Sequence, residues 1–94
     1  MVEKTVVIFR KDPPSLGGDV FALFPYEEGA PGFCTVYQHC GGHGSADYTG
    51  CVARSRPAKP EEYAALKREL ESAPYKYVLD VRKRASHNRR MGAQ

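Results

Sequence analysis

Between Tyr37 and Tyr48 the chain reads YQHCGGHGSADY, and this stretch holds two of its three histidines, a cysteine, a carboxylate and three of its nine glycines. Imidazole is the side chain that titrates nearest neutral pH and the commonest metal ligand, so His39 and His43 are the first residues to test for chemistry. His43 with Asp47 makes a candidate catalytic pair: the carboxylate would orient the ring and raise its basicity, with Ser45, Tyr48 or Cys40 as the nucleophile. His39 and His43 also have the H-x3-H spacing that brings two rings to one zinc ion on a helix. Here Cys40, Gly41 and Gly42 intervene, and paired glycines disfavour a helix. A loop that converged His39, His43 and Asp47 with a cysteine is the remaining metal geometry, and no C-x-x-C supports it. The expectation is therefore no cofactor, with zinc at His39 and His43 as the alternative.

The glycines allow two further readings. Gly41-Gly-His-Gly44 could present backbone amides to a phosphate, but such loops usually lead into a helix and supply a Lys or Arg. Ser45 to Gly50 instead reads as the start of a strand. The plainer account is a hairpin loop in which glycines take positive backbone angles and the histidines hydrogen-bond locally or stack on Tyr37 and Tyr48. On that account His39 ends a strand on an aromatic face and His43 lies at the loop tip.

The elements that must hold this segment follow from periodicity. Thr5 to Arg10 is β-branched and aromatic, and a turn signal, Asp12-Pro-Pro-Ser-Leu-Gly-Gly-Asp19, follows it. Val20 to Phe24 is apolar on both parities, as a strand covered on both faces requires, and Pro25 should stop it. Phe33 to His39 alternates, with Phe33, Thr35, Tyr37 and His39 on one face. Tyr48 to Ser55 reads as a fourth strand with Gly50 at a bulge. Pro60 to Ser72 is a helix, because Tyr63, Leu66, Leu70 and Ala73 recur at helical spacing and Pro60 suits its first turn. Glu61 and Glu62 favour the positive end of its dipole, although Lys59 is no side-chain cap. Tyr75 to Arg82 returns to period two and closes the domain as a half-buried strand.

The order β-β-β-β-α-β predicts a single small α+β domain over residues 1–82, an antiparallel-rich sheet of four to five strands with one helix on a face. A chain of 94 residues has no room for a second core. Its apolar runs are too short for a membrane span, and its start lacks a secretory signal, so a cytoplasmic protein without a membrane partner is expected. An odd number of cysteines argues against a disulfide framework, and Cys34 and Cys51 read as small buried hydrophobes. Net charge is +3. The excess belongs to the end of the chain, where Lys76, Arg82, Lys83, Arg84, Arg89 and Arg90 meet only Asp80. Residues 83–94 have almost no apolar content and read as a basic, mobile tail.

A resemblance spans nearly the whole chain. The segments VIFRK, ALFP, YQH with a second His four residues on, ADY, RPAKPEEY and VRKRA are similar to those of an uncharacterised group of small proteins carried by bacteriophages and integrating mobile elements. The resemblance implies a genomic setting and carries over no activity. It also implies valine near positions 40 and 51 and a Ser or Thr cap before Pro60, so Cys40, Cys51 and Lys59 depart from the group's pattern.

Together these readings favour binding over catalysis: a non-enzymatic accessory protein of a phage or mobile element that binds nucleic acid or an acidic host protein. Arg82, Lys83, Arg84, Arg89 and Arg90 would supply cations for phosphates or carboxylates. His39, His43, Asp47 and Tyr48 would supply a specific contact from the rigid sheet. The competing expectation is a metal-dependent or His/Asp hydrolase centred on His39, His43 and Asp47.

Overall fold

The computed structural model describes residues 4–39 and 42–85. Its central strand is β1 (Thr5–Lys11), which pairs antiparallel with β2 (Val20–Glu28) through Ile8 opposite Leu23 and Arg10 opposite Phe21. Beyond β2 lie β3 (Cys34–Gln38) and then β4 (Gly42–Ala46), each antiparallel to its neighbour. The other side of β1 is shared. The short β5 (Arg56–Pro57) pairs antiparallel with its end, and β6 (Leu79–Val81) runs parallel to its beginning. Helices α1 (Tyr48–Arg54) and α2 (Pro60–Glu71) complete an α+β fold, as the sequence predicts. The sheet is mixed, with six strands among the described residues.

Strand alternation explains the two layers. Val7 and Phe9 of β1 share a face with Ala22, Phe24 and Tyr37, and this face buries Leu66 and Leu70 of α2. Ile8, Phe21, Leu23 and Cys34 point the other way and bury Tyr48 and Cys51 of α1. Residues 20–24 are thus apolar on both parities because both faces are covered. Each fully buried aliphatic or aromatic side chain contributes roughly 1.5–3 kcal/mol. Leu70, with no exposed surface, is the deepest anchor of α2.

Four expectations need correction. Tyr48–Arg54 is a helix, because Tyr48 and Cys51 bury at a spacing of three against one face of the sheet. The glycine segment is strand β4, in which backbone pairing with β3 overrides the weak strand propensity of glycine. Pro25 does not end β2. It is buried where the ladder to β3 is interrupted, between Phe24 opposite Thr35 and Glu28 opposite Cys34, so its missing N–H is not called upon. Of Tyr75–Arg82 only Leu79–Val81 is strand, preceded by a turn in which Lys76 takes φ +54° and the Tyr77 N–H donates to Leu70 O at 2.9 Å.

Helix α1 is held by an arginine. Arg10 lies on the α1 face with 7% of its surface exposed, and its guanidinium donates to Ser55 Oγ at 3.0 Å, Val52 O at 2.9 Å and Ser55 O at 2.5 Å. Those carbonyls belong to the end of α1, where a helix leaves acceptors unsatisfied and favours positive charge. Nearby, Arg54 packs over the Phe21 ring and pairs with the buried Asp12 at 3.2 Å. Burial pushes the Arg10 pKa down. Past Arg82, Ala85 packs in the α1-side core and its N–H donates to Tyr48 Oη at 3.0 Å. Residues 86–94 of the expected tail, with Arg89 and Arg90, lie outside the described residues.

Candidate functional site

Pairing of β3 with β4 sets Tyr37 directly opposite His43, both on the α2 face. Tyr37 is 2% exposed, yet its hydroxyl reaches the helix and donates to Glu69 Oε2. The other oxygen of that carboxylate, Oε1, lies 2.6 Å from His39 Nδ1. Glu69 therefore ties two groups of β3 and its following turn to α2. The two hydrogen bonds, Tyr37 first and His39 second, hold the Glu69 carboxyl below the usual carboxylate range. Donation to Glu69, and secondarily the contact with Tyr75, pushes the Tyr37 phenol up. Its proton stays in place at neutral pH, so Tyr37 is a hydrogen-bond donor and has no phenolate to offer as a nucleophile.

His43 stands in a ring of aromatics. Its centroid lies 4.7 Å from Tyr37, 5.3 Å from Tyr75 and 6.3 Å from both Phe24 and Tyr77. Its Nε2 is 3.3 Å from Tyr77 Oη. The histidine expected at a loop tip is thus inside a strand and stacked on one side while still exposed, and His39, in the turn after β3, has a side chain 77% exposed. A β2–β3 loop supports this corner: Ala30 N–H donates to Ser45 Oγ at 2.7 Å, and Gly29 approaches so closely that a Cβ there would stand 2.4 Å from that oxygen.

Beside the Tyr37–Glu69–His39 chain a groove of about 440 Å³ opens between sheet and helix. Val20, Ala65 and Leu66 give it apolar walls, and Asp19, Gln38, His39, Glu62 and Glu69 its polar rim. Glu62 is already engaged, accepting from Arg56 at 2.8 and 2.6 Å and from the Lys59 N–H at 2.8 Å, which holds its pKa down to about 2. That last bond supplies half of a capping box where Lys59 offers no cap of its own. The Asp19 carboxylate and the Gln38 amide make no side-chain hydrogen bond or ion pair among the described residues.

The expected His43–Asp47 pair is split. Asp47 precedes α1 on the opposite face, where its carboxylate lies 2.9 Å from the position a Cβ on Gly50 would occupy. Strand parity alone would leave them on one face, four residues apart; they separate because β4 ends at Ala46 and the chain turns at Asp47 into α1. Tyr48 is 8% exposed and serves as a prop for Ala85. Arg82 pairs with Asp80 at 2.8 Å, while Lys83 and Arg84 are exposed. Cys34 and Cys51 are buried and in no disulfide among the described residues, and Cys40 lies outside the described residues. Among the described residues, no three His, Cys, Asp or Glu side chains are grouped to hold a metal ion. None of the described helices is long and apolar enough to cross a membrane.

Sequence reasoning missed Glu69, Asp19 and Tyr75. A signal for the first was present: Glu62, Leu66 and Glu69 fall at successive helical spacings, which puts carboxylates beside the buried stripe. Comparison with known proteins adds nothing to this geometry, for the chain matches no protein-family model, no curated protein and no solved structure.

Proposed function

We propose that this protein works by binding a partner protein, and that the groove beside α2 receives a basic side chain of that partner. The observation that carries the reading is the groove's composition. An aliphatic stem fits against Val20, Ala65 and Leu66, while the two oxygens of the unengaged Asp19 carboxylate are acceptors for a cationic head. Arginine matches best, because its planar fork can donate to several acceptors at once. The Tyr37–Glu69–His39 chain keeps the far wall rigid. The resemblance to small phage and mobile-element proteins supplies only a setting, in which the partner is a host protein and the role accessory. The alternative hydrolase has less support, since its His43 and Asp47 are on opposite sides of the sheet.

The test is an amide-resolved NMR titration of the full chain with the peptide acetyl-Gly-Arg-Gly-amide and with its citrulline counterpart, which keeps the shape and removes the charge. Shifts at Val20, Gln38, His39 and Leu66 with the arginine peptide, lost on Asp19→Asn, are expected. Equal response to citrulline, or shifts confined to other regions, would overturn the reading.

A further inference from the structure

On the other flank of α2 the surface has the opposite character. Tyr63 stacks on Phe9 with ring centroids 4.3 Å apart and planes 11° from parallel, which fixes the ring through one of its two faces. It then forms a wall shared by two shallow pockets. One, of about 240 Å³, is lined by Pro57, Ala58 and Val81 with Arg82 and Lys83 at its rim. The other, of about 390 Å³, is lined by Ala64, Lys67, Arg68 and Glu71. Pro60 joins Tyr63 in both. Two of these cations are engaged, Lys67 by Glu71 at 2.6 Å and Arg82 by Asp80 at 2.8 Å. Arg68 and Lys83 make no side-chain hydrogen bond or ion pair among the described residues.

We infer that this flank is a platform for single-stranded nucleic acid, with Tyr63 stacking on an unpaired base and Arg68 and Lys83 holding phosphates on either side of it. An aromatic ring between free cations fits that polymer, because every base has a face to stack and every linkage has a charge to neutralise. A duplex keeps its bases stacked internally and leaves the ring without a partner. An acidic protein would use the cations but gain little from the ring. This surface is distinct from the groove and shares with it only the helix between them. Arg89 and Arg90 are not needed for the platform.

Fluorescence anisotropy of a labelled 12-nucleotide oligo(dT) with the full chain tests it. Expected are preference for the single strand over a duplex of the same length and loss of affinity with salt. Tyr63→Leu should weaken binding about tenfold, within the range of one stacked base, while Tyr63→Phe should retain it. Arg68→Gln with Lys83→Gln should flatten the plot of log affinity against log salt by about 1.4, at roughly 0.7 per phosphate on single strands. Circular dichroism checks that Tyr63→Leu is folded. Should it unfold, the paired charge substitutions and Tyr63→Phe decide the matter. Absent binding, equal affinity for the duplex, competition by polyglutamate that is indifferent to Tyr63→Leu, or binding abolished by Arg89→Gln with Arg90→Gln but unaffected by Arg68→Gln with Lys83→Gln would each overturn the inference.

Discussion

Both faces of the sheet fasten a helix with one charged side chain, and the two fastenings differ in where they end. On the α1 face Arg10 reaches from β1 to the last carbonyls of the helix and is almost wholly enclosed. On the α2 face Glu69 reaches from the helix to Tyr37, which is enclosed, and to His39, which is open to water beside a groove. A polar group closed on all sides can only support the fold, since any change in its partners leaves a buried donor or acceptor unmatched. One that emerges at the surface can exchange partners with a ligand. The contrast assigns structure to the first network and recognition to the outer end of the second.

The sharpest way to break that contrast is to remove Arg10. Arg10→Ala leaves the end of α1 without donors inside the core and should cost about 3–5 kcal/mol in chemical denaturation, the range for breaking a buried charged network. A loss under 1 kcal/mol would show that water enters the site and that the two faces are alike. Tyr37→Phe keeps the ring and deletes only the hydroxyl, so a smaller loss of roughly 1–2 kcal/mol is expected by the same measurement. It should also let the Glu69 carboxyl titrate closer to the ordinary range, which carboxyl NMR can follow.

Acid distinguishes the faces without mutation. The carboxyls of Glu69 and Glu62 have depressed pKa values in the folded protein, so their contribution to stability is complete above the ordinary value of 4.5. It is lost as pH falls, through about 2 for Glu62. Stability measured between pH 6 and pH 3 should therefore decline less in a Glu69→Gln variant than in the parent chain, whereas the Arg10 guanidinium stays charged throughout. An unchanged slope would sink the account of Glu69. The smallest effect belongs to His39→Gln, at under about 0.5 kcal/mol because the ring is exposed. It should nevertheless alter the titration with the arginine peptide, and a variant that binds as the parent does would remove His39 from the site.

Much of this was legible beforehand, for reasons visible in particular residues. The double apolar parity of residues 20–24 declared a strand covered on both sides, and the spacing of Tyr63, Leu66 and Leu70 declared α2 and its buried stripe. Tyr48–Arg54 was misread because a seven-residue segment with one glycine gives too little periodicity to separate helix from strand. The fastening by Arg10 is invisible in sequence, for it joins residues 42 and 45 positions apart. The same holds for Tyr37 and Glu69, which lie 32 positions apart.

Sequence by itself determined the class of fold, the burial of its main strands, the helix α2 and the concentration of histidines near residue 40. Local pattern suffices for these, since a strand or helix announces its buried face through spacing along the chain. Only the tertiary structure decided that His43 is stacked among aromatics while His39 meets Glu69, and that His43 and Asp47 part company. Those outcomes depend on which strand pairs with which and in what register. A shift of one residue would have exchanged the faces of His43 and Gly44.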